Sequence, residues 1–180
     1  MLRGRSKKGS TTKGQNMSRG AWRLGIGAAS GYCSSRLMDQ ATSWYLQHQS
    51  EASRRREQEL APGGTPTLIG KKLGSIVSRD LTDDEAAKVG LFVHRSLGIA
   101  GGITAAGLVR AGIRPMQAAI MLGAAVFLVV DEGANAAFFT PPPQAYPIES
   151  HLRGVVGHLA YGASVGAMLS MAQLFGAMRP

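Results

Sequence analysis

From Gly154 to Met178 the chain runs for 25 residues without a charged side chain, and this stretch limits the possible folds more than any other feature. A hydrocarbon core is crossed by about 20 consecutive apolar residues in a helix. A water-soluble helix of the same length would carry a polar stripe along one side. Here apolar and small residues run all the way round, so the segment reads as a transmembrane helix.

The glycines point the same way. Gly98, Gly101, Gly102, Gly107, Gly154, Gly157, Gly162 and Gly166 all fall inside predicted helices. In water an interior glycine costs a helix roughly 1 kcal/mol relative to alanine. In lipid, small residues four apart let backbones approach closely, and close approach is a main source of helix association. That spacing recurs at Gly27 and Gly31, at Gly98, Gly102 and Ala106, at Ala119 and Gly123, and through Gly154, His158, Gly162, Gly166 and Ser170. Helix packing is assigned to Gly27, Gly31, Gly98, Gly102, Gly162 and Gly166. The expected fold is all-α, a multi-pass transmembrane bundle of roughly four Gly/Ala-rich helices.

Residues 1–20 are rich in Lys, Arg, Gly, Ser and Thr and are expected to form a disordered basic tail. Residues 1–23 hold seven basic side chains and no acidic one, so much of the net charge of +9 sits there. Such a tail attracts polyanions, either nucleic acid or anionic lipid headgroups. The segments that follow favour the lipid bilayer as partner, and no nucleic acid is expected. The run after Arg23 is too poor in Leu and Val for a cleaved signal, so it is expected to be retained. With Cys33 as the single cysteine there is no intramolecular disulfide and no Cys-based zinc site, and Cys33 reads as a packing residue.

The remainder, 21–180, is one helical domain. Helices are expected at about 22–58, 82–111, 115–138 and 148–177, with 59–81 as a connecting segment. Within that connection Leu68, Ile69, Leu73, Ile76 and Val77 lie at helical spacing against Lys71, Lys72 and Arg79. They form an amphipathic helix that either covers the bundle end or lies in the headgroup plane. Thr82 and Glu85 make a capping box, Pro115 suits a first helical turn, and TPPPQAYP cannot be helix interior.

Counting along these helices from the short loop near Gly112 places several polar residues at one depth. His94 lies 16 residues before Arg110, and Asp131 lies 16 after Pro115, roughly 24 Å from that loop at the helical rise. Arg36, Asp39 and His158 fall in the same layer, with Tyr161 and Glu132 beside it and His151 two turns nearer the surface. Arg36 and Asp39, three apart, are expected to form an ion pair. Three readings of the layer compete: a structural network; a proton-responsive site of His94, Asp131, Glu132, His151, His158 and Tyr161, because an imidazole changes charge near neutral pH; and a metal site of His94, His158 and Glu132. No metal-binding spacing supports the last, and neither a metal nor a cofactor is assigned.

The order of a small-residue first helix, LTDDEAAKVG, a helix ending in Asp131-Glu132, and TPPPQAYPIESHLRGVVGHLAYG resembles the YagU-like family of bacterial inner-membrane proteins. The likeness covers roughly residues 24–172. Its most specific part is the Pro-rich loop leading to His151, Leu152, His158, Leu159, Tyr161 and Gly162. The resemblance implies a multi-pass inner-membrane protein of poorly defined role, with a suggested link to survival in acid. The positive-inside rule puts the basic tail, the loop at 110–114 and the C-terminus in the cytoplasm. No Ser-His-Asp set or phosphate loop is present, so a non-enzymatic role is expected. The alternatives are a proton- or metal-linked small transporter acting as a homo-oligomer, and a soluble basic helical protein binding nucleic acid through its tail.

Overall fold

The computed structural model describes residues 9–177, with side chains described from residue 20 onward except at 135 and 136. Every regular element among them is helical. Helix α1 spans Gly9–His48, α2 Glu51–Leu60, α3 Thr65–Ile76, α4 Asp83–Arg110, α5 Pro115–Val126, α6 Ala136–Phe138 and α7 Ile148–Leu174. Between α5 and α6 the chain continues as a π-helix over Phe127–Asn135.

Helix boundaries follow local chemistry. The Thr82 side chain accepts from the Glu85 backbone N–H while the Glu85 carboxylate accepts from the Thr82 backbone N–H, closing the capping box at the start of α4. Pro115 opens α5 in its first turn, and α7 starts directly after Pro147. Gly112, with φ of 96°, makes the tight reversal between α4 and α5.

Two boundaries differ from the sequence expectation. Residues 9–20, assigned to a disordered tail, continue α1 upstream, and residues 1–8 of that tail lie outside the described residues. No proline precedes Pro62, so a helix nucleated further along has nothing to stop it propagating back. The expected single helix 22–58 is instead broken at Ser50, which is extended and caps α2 by accepting from the Ser53 N–H. The break is pinned from outside: the Ser50 backbone N–H and hydroxyl both donate to the Glu149 carboxylate, at 2.8 and 3.0 Å.

Helix α1 packs along α4 and α7, α5 packs along α7 and α4, and α3 lies on α4. The contacts run antiparallel. A Cβ on Gly27 would lie 2.9 Å from the Gly102 carbonyl oxygen, and one on Gly31 would collide with the Gly98 carbonyl. Gly162 faces the backbone of Ala119 and Ile120, and Gly166 faces Met116. All six glycines assigned to packing thus lie at helix crossings. Two more, Gly70 against Ala86 and Gly90 against Pro66, seat α3 on α4; Gly70 also lies four residues before the buried Gly74 in α3.

The interior is built of small and polar groups. Ala105, Ala106, Ala118, Ala119, Val165 and Leu169 are buried together with Ser34, Ser35 and His158. The large apolar side chains lie outside, among them Phe92, Met121, Leu128, Val129, Leu159 and Leu174. Three helical segments are long and apolar enough to cross a membrane: Asp83–Arg110, Pro115–Ala134 and Ile148–Leu174. The first helix is not among them, because Arg36, Asp39 and Gln40 dilute its apolar residues.

Placing valine at Gly102 should separate α1 from α4 and destabilise the fold by about 1–3 kcal/mol, read as a lower unfolding temperature in detergent. Gly107→Ala, at a site with nothing within 4 Å, should leave that temperature unchanged or raise it.

Candidate functional site

The polar residues gather at the end of the bundle away from Gly112, and they sort into pairs. Of the chain's four histidines, three each meet a different carboxylate on another element. His94 Nε2 lies 3.1 Å from Asp39 Oδ1, His151 Nδ1 lies 2.7 Å from Glu132 Oε1, and His158 Nε2 lies 2.8 Å from Asp131 Oδ2. The fourth, His48, is exposed and bonds the Trp44 carbonyl of its own helix.

The Gly27–Gly31 and Gly98–Gly102 crossing sets the first pair. Two turns beyond Gly31, α1 brings Asp39 against both His94 and Arg95. Arg95 also donates to Ser35 Oγ at 2.9 Å, and its side chain is only 13% exposed. The expected Arg36–Asp39 ion pair is therefore corrected: Asp39 pairs across the crossing with Arg95, and Arg36 is exposed on the outer side of α1. A cation held between two helices by a glycine-permitted approach outcompetes one on the same helix that must bend back along the surface.

The second and third pairs are set by the π-helix, which the sequence FLVVDEGAN does not announce. Its wider turn, typical of functional sites, lets the adjacent residues Asp131 and Glu132 both line one cavity. His151 Nε2 meets the Pro143 carbonyl at 3.0 Å. A carbonyl only accepts, so Nε2 carries a hydrogen. One further proton must then lie between Nδ1 and Glu132, on the imidazole or on the carboxyl. The pair is neutral as a unit and holds an exchangeable proton.

His158 is 7% exposed, and its ring leans on Phe127 with centroids 5.6 Å apart. Its Nδ1 is buried without a partner. A bare lone pair there costs less than an orphaned charged N–H, so the geometry favours neutral His158 donating from Nε2 to Asp131.

Around these pairs lies a cavity of about 650 Å³. Its lining includes His94, Asp131, Glu132, His151 and Arg153, with Met38, Leu46, Ile69, Val93, Leu97 and Phe127 as apolar wall. Arg153 donates to Glu57 Oε2 at 2.7 Å and Gln49 Oε1 at 3.0 Å, and Ser150 donates to the other Glu57 oxygen. Helix α2 is thereby clasped to the start of α7. Tyr146, in the Pro-rich loop, lines the cavity with its hydroxyl buried, and burial pushes that phenol above the ordinary tyrosine range.

Tyr161 stands apart from this site. Its hydroxyl donates to the Gly98 carbonyl at 2.6 Å, bracing α7 to α4. The metal reading is not assembled either. His94, His158 and Glu132 each have a separate partner, and no group of three His, Cys, Asp or Glu converges among the described residues. Arg95, Glu57 and Arg153 were not singled out in the sequence: Glu57 lies in a polar stretch that reads as a solvated helical extension, and Arg95 has no acidic residue three or four positions away to draw attention to it.

Comparison with known proteins adds nothing to this picture. No family model, curated protein or solved structure matches the chain.

Removing the Asp39 carboxylate leaves Arg95 without its charge partner. Asp39→Ala should cost about 1–3 kcal/mol, reduced by the partial exposure of Asp39. Adding Arg95→Met to that variant should restore part of the loss, measured as a double-mutant cycle of thermal unfolding.

Proposed function

We propose that the chain is an integral membrane protein in which α1, α4, α5 and α7 cross the bilayer, and that its His–carboxylate pairs exchange protons at one end of the bundle. The reading is supported above all by the inverted distribution of side chains. Glycine, alanine, serine and histidine fill the interior, while phenylalanine, leucine and methionine cover the outside. Water would penalise that surface, and a hydrocarbon solvent would not.

The fourth crossing rests on α1. Trp22 and Trp44 are both exposed and 22 residues apart, a rise of about 33 Å, close to the thickness spanned between two interfacial aromatic belts. Arg36 lies on the Trp44 side of the helix centre, where a long side chain reaches toward the headgroups. The basic residues Arg23, Arg110 and Arg114 share the opposite end, which under the positive-inside rule supports a cytoplasmic N-terminus and short loop in a bacterial inner membrane. Anionic headgroups would then meet the basic segment.

The role that fits the paired histidines is non-enzymatic and acid-responsive. That role is also the expectation carried by the likeness to YagU-like proteins.

Carbonate washing should leave the protein in the membrane fraction; release in soluble form would end the membrane reading. Cys33, exposed and midway between the two tryptophans, should resist a charged maleimide in intact membranes and react once the protein is unfolded in detergent. Rapid labelling in membranes would remove α1 from the crossing helices. In cells under acid challenge, His158→Gln and Glu132→Gln should each lower survival; normal survival of both would sink the acid-responsive role.

A further inference from the structure

The charges around the cavity select the class of molecule it can hold. Helix α3 contributes no ionisable residue to the lining, and the α1 carboxylate nearest to it, Asp39, is held by His94 and Arg95. Helix α4 contributes His94, the π-helix Asp131 and Glu132, the Pro-rich loop Tyr146, and α7 His151 and Arg153.

Among the described lining residues the permanent cation is Arg153, and it is neutralised by Glu57 of α2. His158, behind the wall, has its Nδ1 buried without a partner, which favours the neutral ring. Each of Asp131 and Glu132 gives one oxygen to a histidine, and the other oxygen has no hydrogen-bond partner among the described residues. The Glu132–His151 pair is neutral overall, so Asp131 leaves the cavity with an excess negative charge.

We propose that this cavity binds a small lipophilic organic cation, its charged centre against Asp131 and Glu132 and its hydrocarbon body against Phe127, Val93 and Leu97, in competition with protons. This rests on the membrane and proton-exchange reading above. An anion is disfavoured because Arg153 is already matched. A divalent metal is disfavoured because hard cations take about six or more oxygen ligands, whereas two free carboxylate oxygens face an apolar wall here. The volume lies within the range of small-molecule sites, roughly 300–1,000 Å³. A proton on Asp131 removes the charge the cation uses, and a further proton on the neutral Glu132–His151 pair adds a positive one, so binding weakens as protons are added.

The test is calorimetric titration of the purified full-length protein in neutral detergent, with tetraphenylphosphonium as probe and tetraphenylborate as the same shape with opposite charge. The phosphonium should bind and the borate should not. Affinity should be weaker near pH 5 than near pH 8. Asp131→Asn should weaken binding about tenfold, while Glu132→Gln, which keeps its pair with His151 neutral, and His48→Gln, outside the cavity lining, should change it little. Should Asp131→Asn fail to fold, the charge-keeping Asp131→Glu, which should bind the phosphonium and reject the borate, carries the decision. Equal uptake of both probes, or unchanged affinity in a folded Asp131→Asn, overturns the proposal.

Histidine NMR without any cation separates the two readings. If the ring signals of His94, His151 and His158 respond to pH while the phosphonium does not bind, the cation site is wrong and proton exchange stands. If neither occurs, both are wrong.

Discussion

The close approach of α1 and α4 at Gly27, Gly31, Gly98 and Gly102 is the contact on which the rest of the structure depends. At these positions backbone meets backbone, and a methyl group at Gly31 would collide with the Gly98 carbonyl. The approach sets the register of the two helices, and the register decides what lies two turns further on. Asp39 meets His94 and Arg95 because the glycines bring the helix axes close enough for short side chains to pair. In lipid, where apolar surface gains nothing from self-association, packing and interhelical polar bonds are the forces left to hold such a crossing.

The same logic arranges the other end of the site. Gly123 lets α5 approach the His158 carbonyl, and Gly154 accommodates the Phe127 ring. Between these contacts the chain widens into a π-helix, which turns Asp131 and Glu132 toward α7. Each carboxylate finds one histidine there. The polar groups are thus not a single network: they form separate pairs around a shared cavity, closed from the side by α3 and the Pro-rich loop. Pairing lowers the cost of placing ionisable groups among apolar neighbours.

Much of the site could be read in the sequence. The depth count placed His94, Asp131, Glu132 and His158 at one level because helical rise is constant along a continuous helix. It could not say which side chain meets which, and it chose the wrong partner for Asp39. A local spacing of three made Arg36 look sufficient, while Arg95, 56 residues away, was invisible to any local rule. Tyr161 shared the same face as His158 but reaches Gly98 instead, a partner known only once α7 is set against α4.

What the sequence alone determined is what depends on neighbours along the chain: helical class, the uncharged C-terminal stretch, the capping box at Thr82, the stop at Pro141–Pro143, and the glycine spacing that marks contact faces. What only the tertiary structure decided is what depends on groups distant in sequence. The break at Ser50 exists because Glu149 reaches it, the α3 seat exists because Gly70 and Gly90 face one another's helices, and the cavity exists because a π-helix and a Pro-rich loop meet above α7. Backbone propensities are local energies and can be summed residue by residue. Pairings of charge and space are properties of the assembled helices, and no local sum contains them.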